Sequence, residues 1–117
     1  MAPTVLIVDD HATFRALARR MLEGHGYEVV GEAQDGASAV AASSRLQPSV
    51  VLLDIQLPDL DGLAVAEQLA QTDSPPHVVL ISSRDAASYG PRIDRAPARG
   101  FLAKRELSGA SLAALVD

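Results

Sequence analysis

Residues 5–14 read VLIVDDHATF. Val5–Val8 is apolar throughout and rich in β-branched side chains, with no polar residue alternating into it. A strand of this kind is buried on both faces, as in a parallel sheet covered by helices above and below. It runs out into two adjacent like charges, Asp9 and Asp10. Beyond them Phe14, Leu17, Ala18, Met21 and Leu22 recur at helical spacing and form one apolar face. Gly24 and Gly26 end that helix. Asp10 is placed to cap it.

The alternation continues along the chain. Tyr27–Ala33 reads as a second strand. Asp35 is a plausible N-cap for a helix over Gly36–Leu46, stopped by Pro48. Ser49–Asp54, SVVLLD, is again apolar to its end and again finishes in an aspartate. The loop IQLPDLD precedes a helix from Gly62 to about Thr72, and the turn at Ser74–Pro76 leads into a buried strand at His77–Ser82. Gly100–Lys104, GFLAK, is a short fifth strand, and Ser108 caps a last helix carrying Leu112, Leu115 and Val116. A helix belongs between Arg84 and Arg99, but Gly90 and Pro91 interrupt it and Pro97 closes it. Pro91 removes an N–H and its ring would clash with the carbonyl of Ala87, so only a short helix, opening on Pro91, fits there.

Regular β/α alternation predicts a parallel sheet with helices on both faces, its ligands outside the carboxyl ends of the strands. Four of these ends carry polar groups on that edge: Asp9 and Asp10, Asp54, Ser82 with Ser83, and Lys104. One such ending is ordinary turn chemistry; four converging endings describe a site. Clustered carboxylates repel by about 4 kcal/mol per pair at 4 Å and an effective dielectric of 20. Raised pKa values or a hard divalent cation such as Mg²⁺ would offset that, and Lys104 adds positive charge. An aspartate beside Mg²⁺ and a lysine is a competent nucleophile toward phosphorus.

Composition narrows the classes. The chain has 117 residues, 48% of them hydrophobic but only 3% aromatic, so Ala, Val and Leu must fill the core of a single domain over residues 1–117. A net charge of −5 argues against direct nucleic-acid binding, and the lack of cysteine excludes disulfide and thiolate chemistry. No signal peptide or membrane span is legible, which leads us to expect a cytoplasmic protein with no membrane partner. His11, His25 and His77 lack metal-ligand spacing and read as surface or loop residues. There is no Walker-type phosphate loop.

Taken together, VLIVDDH, LLDIQLPDLDG (52–62), VVLISS and GFLAK resemble the motifs of response regulator receiver domains of two-component systems. VDDH, VVGEAQDG and GFLAKREL look most like receivers that precede a helix-turn-helix DNA-binding domain (LuxR/NarL-type). The resemblance covers essentially the whole chain. It implies a flavodoxin-like, doubly wound α/β fold, a five-stranded parallel sheet of order 2-1-3-4-5, here with a short or irregular fourth helix. It implies Asp54 as phosphoacceptor, Lys104 and Ser82 as phosphoryl contacts, and Ser82 with Phe101 as the switch pair. Asp9, Asp10, Asp54 and the backbone carbonyl of Gln56 would hold Mg²⁺ or Mn²⁺. Its partners would be a sensor histidine kinase and, at the output face, a second receiver. Such a domain is a signalling element rather than an enzyme, although it takes part in its own phosphorylation and slow autodephosphorylation. Phe101 stands where Tyr is commoner, so that ring lacks a hydroxyl.

Two other classes fit parts of the pattern. An Mg²⁺-dependent phosphohydrolase would also use an aspartyl nucleophile, but the haloacid-dehalogenase type carries D-x-D-x-T/V after its first strand and this chain has D-D-H. A module acting by protein contact alone would need no phosphorylation; the interrupted fourth helix is the feature favouring it.

Overall fold

The computed structural model describes residues 3–116. Met1, Ala2 and Asp117, which the expected domain over 1–117 includes, lie outside them. Five strands alternate with helices: β1 (Thr4–Val8), α1 (Ala12–Glu23), β2 (Glu28–Ala33), α2 (Gly36–Leu46), β3 (Val50–Asp54), α3 (Gly62–Ala70), β4 (His77–Ser82), α4 (Arg92–Arg95), β5 (Gly100–Ala103) and α5 (Gly109–Val116). The sheet is parallel with order β2-β1-β3-β4-β5, as expected.

The unbroken apolar strands follow from this architecture. Leu6, Val8, Val51, Leu53 and Leu80 point to one side and pack with α2 and α3 through Ala39, Val65 and Leu69. Val5, Ile7, Val50, Leu52, Val79 and Ile81 point to the other and meet Ala18, Leu22 and Leu112 of α1 and α5. Each residue of Val5–Val8 and Val50–Leu53 thus faces one of two dry layers, and the period-two alternation of a half-exposed strand has no place. Burying each of these Val, Leu or Ile side chains contributes about 1.5–3 kcal/mol before the entropy of ordering it.

Local signals explain most of the helix boundaries. Asp35 caps α2: its Oδ1 accepts from Ser38 N–H at 2.8 Å, and Asp35 N–H donates back to Ser38 Oγ at 3.4 Å. At its other end Gln47 takes the left-handed conformation, φ 49°, ahead of Pro48, which disfavours right-handed helix in the residue before it. Ser108 Oγ accepts from Ser111 N–H at 2.9 Å and starts α5. Asp10 does not cap α1. His11 is the N-cap and makes no side-chain cap bond; instead Asp9, two residues before it, accepts from His11 N–H at 2.8 Å. The short fourth helix is confirmed. A single 3-10 turn over Ala86–Ser88 is followed by Gly90 at φ 62° and by one turn of α-helix. Pro91 sits one position earlier than expected, as the N-cap, at φ −67°.

Candidate functional site

Strand register brings the polar strand ends together. Val8 of β1 lies beside Leu53 of β3, Asp54 beside Ile81 of β4, and Ser82 beside Ala103 of β5. Residues that follow or end those strands (Asp9, Asp54, Ser82 and Lys104) therefore meet at one edge. Asp9 and Ser82 are fully buried, and Asp54 is 2% exposed.

The charges are arranged around Lys104. Its Nζ lies 2.5 Å from Asp9 Oδ2 and 3.3 Å from Asp54 Oδ2, and it sits 4.6 Å from the centroid of the Phe14 ring in a cation–π contact. Asp54 Oδ1 accepts from Gln56 N–H at 3.0 Å. Burial pushes the Asp54 carboxyl up from 3.8 to about 6; the Gln56 N–H and the Lys104 ammonium oppose that rise, and the neighbouring Asp9 charge adds to it. For Lys104 burial works against the ammonium, but the close ion pair with Asp9 and the charge of Asp54 outweigh it, and its pKa rises.

Asp10 is exposed. His11 joins the cluster, its Nδ1 lying 3.2 Å from Asp9 Oδ1 and 3.0 Å from Asp10 Oδ1. One ligand atom from each of Asp9, Asp10, His11 and Asp54 lies within 4.8 Å of all the others. Asp9 Oδ2, though paired in charge with Lys104, is buried without a hydrogen bond. A buried carboxylate oxygen lacking a donor, within a mainly oxygen donor set, fits a hard divalent cation.

The remaining aspartates nearby build the frame. Asp59 reaches across to the start of α2, its two oxygens accepting from Gly36 N–H at 2.7 Å and Ala37 N–H at 3.0 Å. The Gly36 bond is the leading cause that holds its carboxyl below the usual range. Asp61 caps α3 through Leu63 N–H at 2.8 Å and also pairs with Arg92 of α4. Gly62 closes the loop: its N–H donates to Ile55 O at 2.7 Å, and a Cβ there would stand 2.2 Å from the carbonyl oxygen of Asp54. Only glycine lets α3 start this close to the strand end.

Ser82 Oγ accepts from Arg84 N–H at 3.0 Å and shares a 2.6 Å hydrogen bond with the phenol of Tyr89. The Tyr89 ring lies 6.3 Å from that of Phe101, tilted by 57°. Two participants thus escaped the sequence reading. For His11 the signal is adjacency to Asp9 and Asp10 in the chain rather than metal-ligand spacing. Tyr89 lies in the interrupted segment, where no periodicity assigns it a direction. The carbonyl of Gln56 belongs to a loop pinned by an isolated bridge between Gln56 and Asp61.

Comparison with known proteins agrees with this geometry. Residues 5–116 match the response regulator receiver domain. Chemotaxis protein CheY of Bacillus subtilis is 34% identical over 104 residues, 89% of this chain and 87% of that one. BvgA of Bordetella pertussis is 34% identical over 102 residues, 87% of this chain but 49% of its own length. The chain therefore spans about half the length of BvgA and of several other curated relatives it matches. A solved two-component response regulator of the LuxR family from Aurantimonas sp. SI85-9A1 superposes with a TM-score of 0.86 at 27% identity, covering 98% of this chain and 86% of that one. No helix among the described residues is long and apolar enough to cross a membrane. The fold, the converging strand ends and these matches together show that the chain belongs to the response regulator receiver domains of two-component systems, with its likeness among the LuxR/NarL-type receivers.

Proposed function

We propose that this receiver accepts a phosphoryl group on Asp54 from a sensor histidine kinase. The observation that carries the reading is a buried Asp54 carboxylate facing the Lys104 ammonium, with Asp9 and Asp10 beside it. With a pKa near 6, Asp54 is ionised at neutral pH and available as a nucleophile. A carboxylate oxygen forms the new bond to phosphorus. The bond from phosphorus to the donor nitrogen breaks, its electron pair stays on the imidazole, and the product is an acyl phosphate on Asp54. Lys104 leaves Asp9 for a phosphoryl oxygen, and Ser82 donates its hydroxyl to another. Phe101 follows Ser82 by changing rotamer.

Asp9, Asp10, Asp54 and the Gln56 carbonyl would hold Mg²⁺, or Mn²⁺ in its place. When bound, such an ion neutralises charge on the phosphoryl oxygens. As a domain, the chain acts in the cytoplasm as one receiver, not as an enzyme on other substrates, and loses its phosphoryl group slowly by hydrolysis. A second receiver is its partner at the output face. EvgA, a relative of which this chain spans half, is a DNA-binding transcriptional activator. Where such a domain follows in the complete protein, the output is transcription.

The test is intact mass after incubation with acetyl phosphate and Mg²⁺. We expect the mass of one phosphoryl group, lost in Asp54→Asn. An unmodified wild-type chain, or equal modification of the variant, refutes the reading.

A further inference from the structure

The hydroxyl of Ser82 is fully buried, and its partners are the Arg84 N–H and the phenol of Tyr89. A hydroxyl has one proton, so a Ser82 that donates to Tyr89 has to withdraw that proton before it can donate to a phosphoryl oxygen on Asp54. Resting on the Asp54 phosphorylation reading, we propose that Tyr89 is a positioning residue. Its phenol takes the Ser82 proton in the unphosphorylated chain and is released when Ser82 turns to the phosphoryl group.

Besides the packing of the Tyr89 ring against Phe101 and the core, three polar side-chain contacts tie the described segment from Asp85 to Arg92 to the rest of the domain. Two are ion pairs in exposed surroundings, Arg105 with Asp85 at 2.5 Å and Arg92 with Asp61. Exposed pairs contribute little and are screened by salt. The Tyr89–Ser82 bond is the one that reaches a buried atom, and its 2.6 Å length places both oxygens in full contact. That bond, together with the packing of Tyr89 and Ile93 against the core, holds the segment down. Its one α-helical turn, Arg92–Arg95, buries no residue.

The released ring has somewhere to go. Tyr89 lines a cavity of about 430 Å³ together with Gln56, Leu57, Pro58, Asp61 and Arg92, between the loop after Asp54 and α4. Movement of Tyr89 into it would disturb the Arg92–Asp61 pair, so a change at Asp54 reaches the surface at α4. Phe101 has no hydroxyl, so the β5 ring itself cannot hold Ser82 by a hydrogen bond. It offers Tyr89 a tilted aromatic face instead.

The test is a double-mutant cycle in the chain, Tyr89→Phe against Ser82→Ala, with acetyl phosphate and Mg²⁺ as the probe. The readout is the steady-state ratio of phosphorylated to unphosphorylated protein by intact mass. Both substitutions remove a single oxygen, and thermal melts check that each variant folds. Tyr89→Phe frees Ser82 in the unphosphorylated state and should raise the ratio about fivefold, the equilibrium worth of one net hydrogen bond. In the Ser82→Ala background it should change nothing. The same change in both backgrounds, no change, or a fall in the ratio for Tyr89→Phe alone overturns the positioning role while leaving Asp54 phosphorylation standing. A wild-type chain that gains no phosphoryl mass overturns both.

Discussion

Asp54→Asn in the presence of a chelator separates the electrostatic cost of the site from its chemistry. Burial pushes the Asp54 carboxyl from 3.8 to about 6 in the folded chain. Between roughly pH 4 and 6 the native state thus holds a proton that the unfolded state has lost, and stability falls as pH rises through that window. Above pH 6 the full cost is present. Two pH units correspond to about 3 kcal/mol at 1.36 kcal/mol per unit, and residual solvent screening reduces this to about 2 kcal/mol. Asparagine keeps a side-chain oxygen for the Gln56 N–H, which now lies 3.0 Å from Asp54 Oδ1, and carries no charge to desolvate. It gives up the 3.3 Å pairing with Lys104, but Lys104 retains Asp9. The variant should therefore be more stable than wild type by about 1–2 kcal/mol at pH 7.5, a rise of several degrees in Tm. The gap should close toward pH 4, where both side chains are neutral. Urea unfolding of both proteins across pH 4–8 reads this directly, and other titrating groups cancel in the difference. A gap that stays constant with pH, or a variant less stable at pH 7.5, refutes the account of a desolvated carboxylate.

Other consequences follow from the same geometry. Gly62→Ala forces a methyl group against the Asp54 backbone, so it should cost about 1–3 kcal/mol in denaturant unfolding and slow acetyl phosphate labelling; a neutral result would mean the loop yields freely. Asp59→Ala leaves two N–H groups at the start of α2 without their acceptor, with an expected fall in Tm measured by thermal melting; an unchanged Tm would mean that water replaces the carboxylate. Millimolar Mg²⁺ should raise the Tm of the wild-type chain by linkage, and the rise should shrink in Asp10→Asn; a Tm indifferent to Mg²⁺ would count against a cation site at Asp9, Asp10 and Asp54.

Much of this protein was legible without coordinates, because its signals are local. Continuous apolar runs at Val5–Val8 and Val50–Leu53 specify strands buried on both faces, and the spacing of Phe14, Ala18 and Leu22 specifies a helix that covers one of them. Capping by Asp35 and Ser108, and the break at Gly90–Pro91, depend on residues within four positions of one another. The carboxyl-end rule then collects Asp9, Asp54, Ser82 and Lys104 at one edge, because parallel strands all point the same way.

The inequality of those residues was not legible. Asp9 and Asp10 are adjacent and identical, yet one is buried against Lys104 and the other exposed, since successive side chains leave a strand end in opposite directions. Asp59 and Asp61 in LPDLD are both exposed and hold the starts of α2 and α3 rather than joining the cluster. Which groups share a proton or a charge depends on distances of an ångström or less, and these come from packing between segments tens of residues apart. The elements, their order and the set of polar strand ends follow from periodicity and turn chemistry that act over a few residues. That Lys104 leans on Asp9 more closely than on Asp54, that His11 joins the acidic cluster, and that Tyr89 from an irregular segment meets Ser82 follow from strand register and close packing, which bring such distant groups into contact.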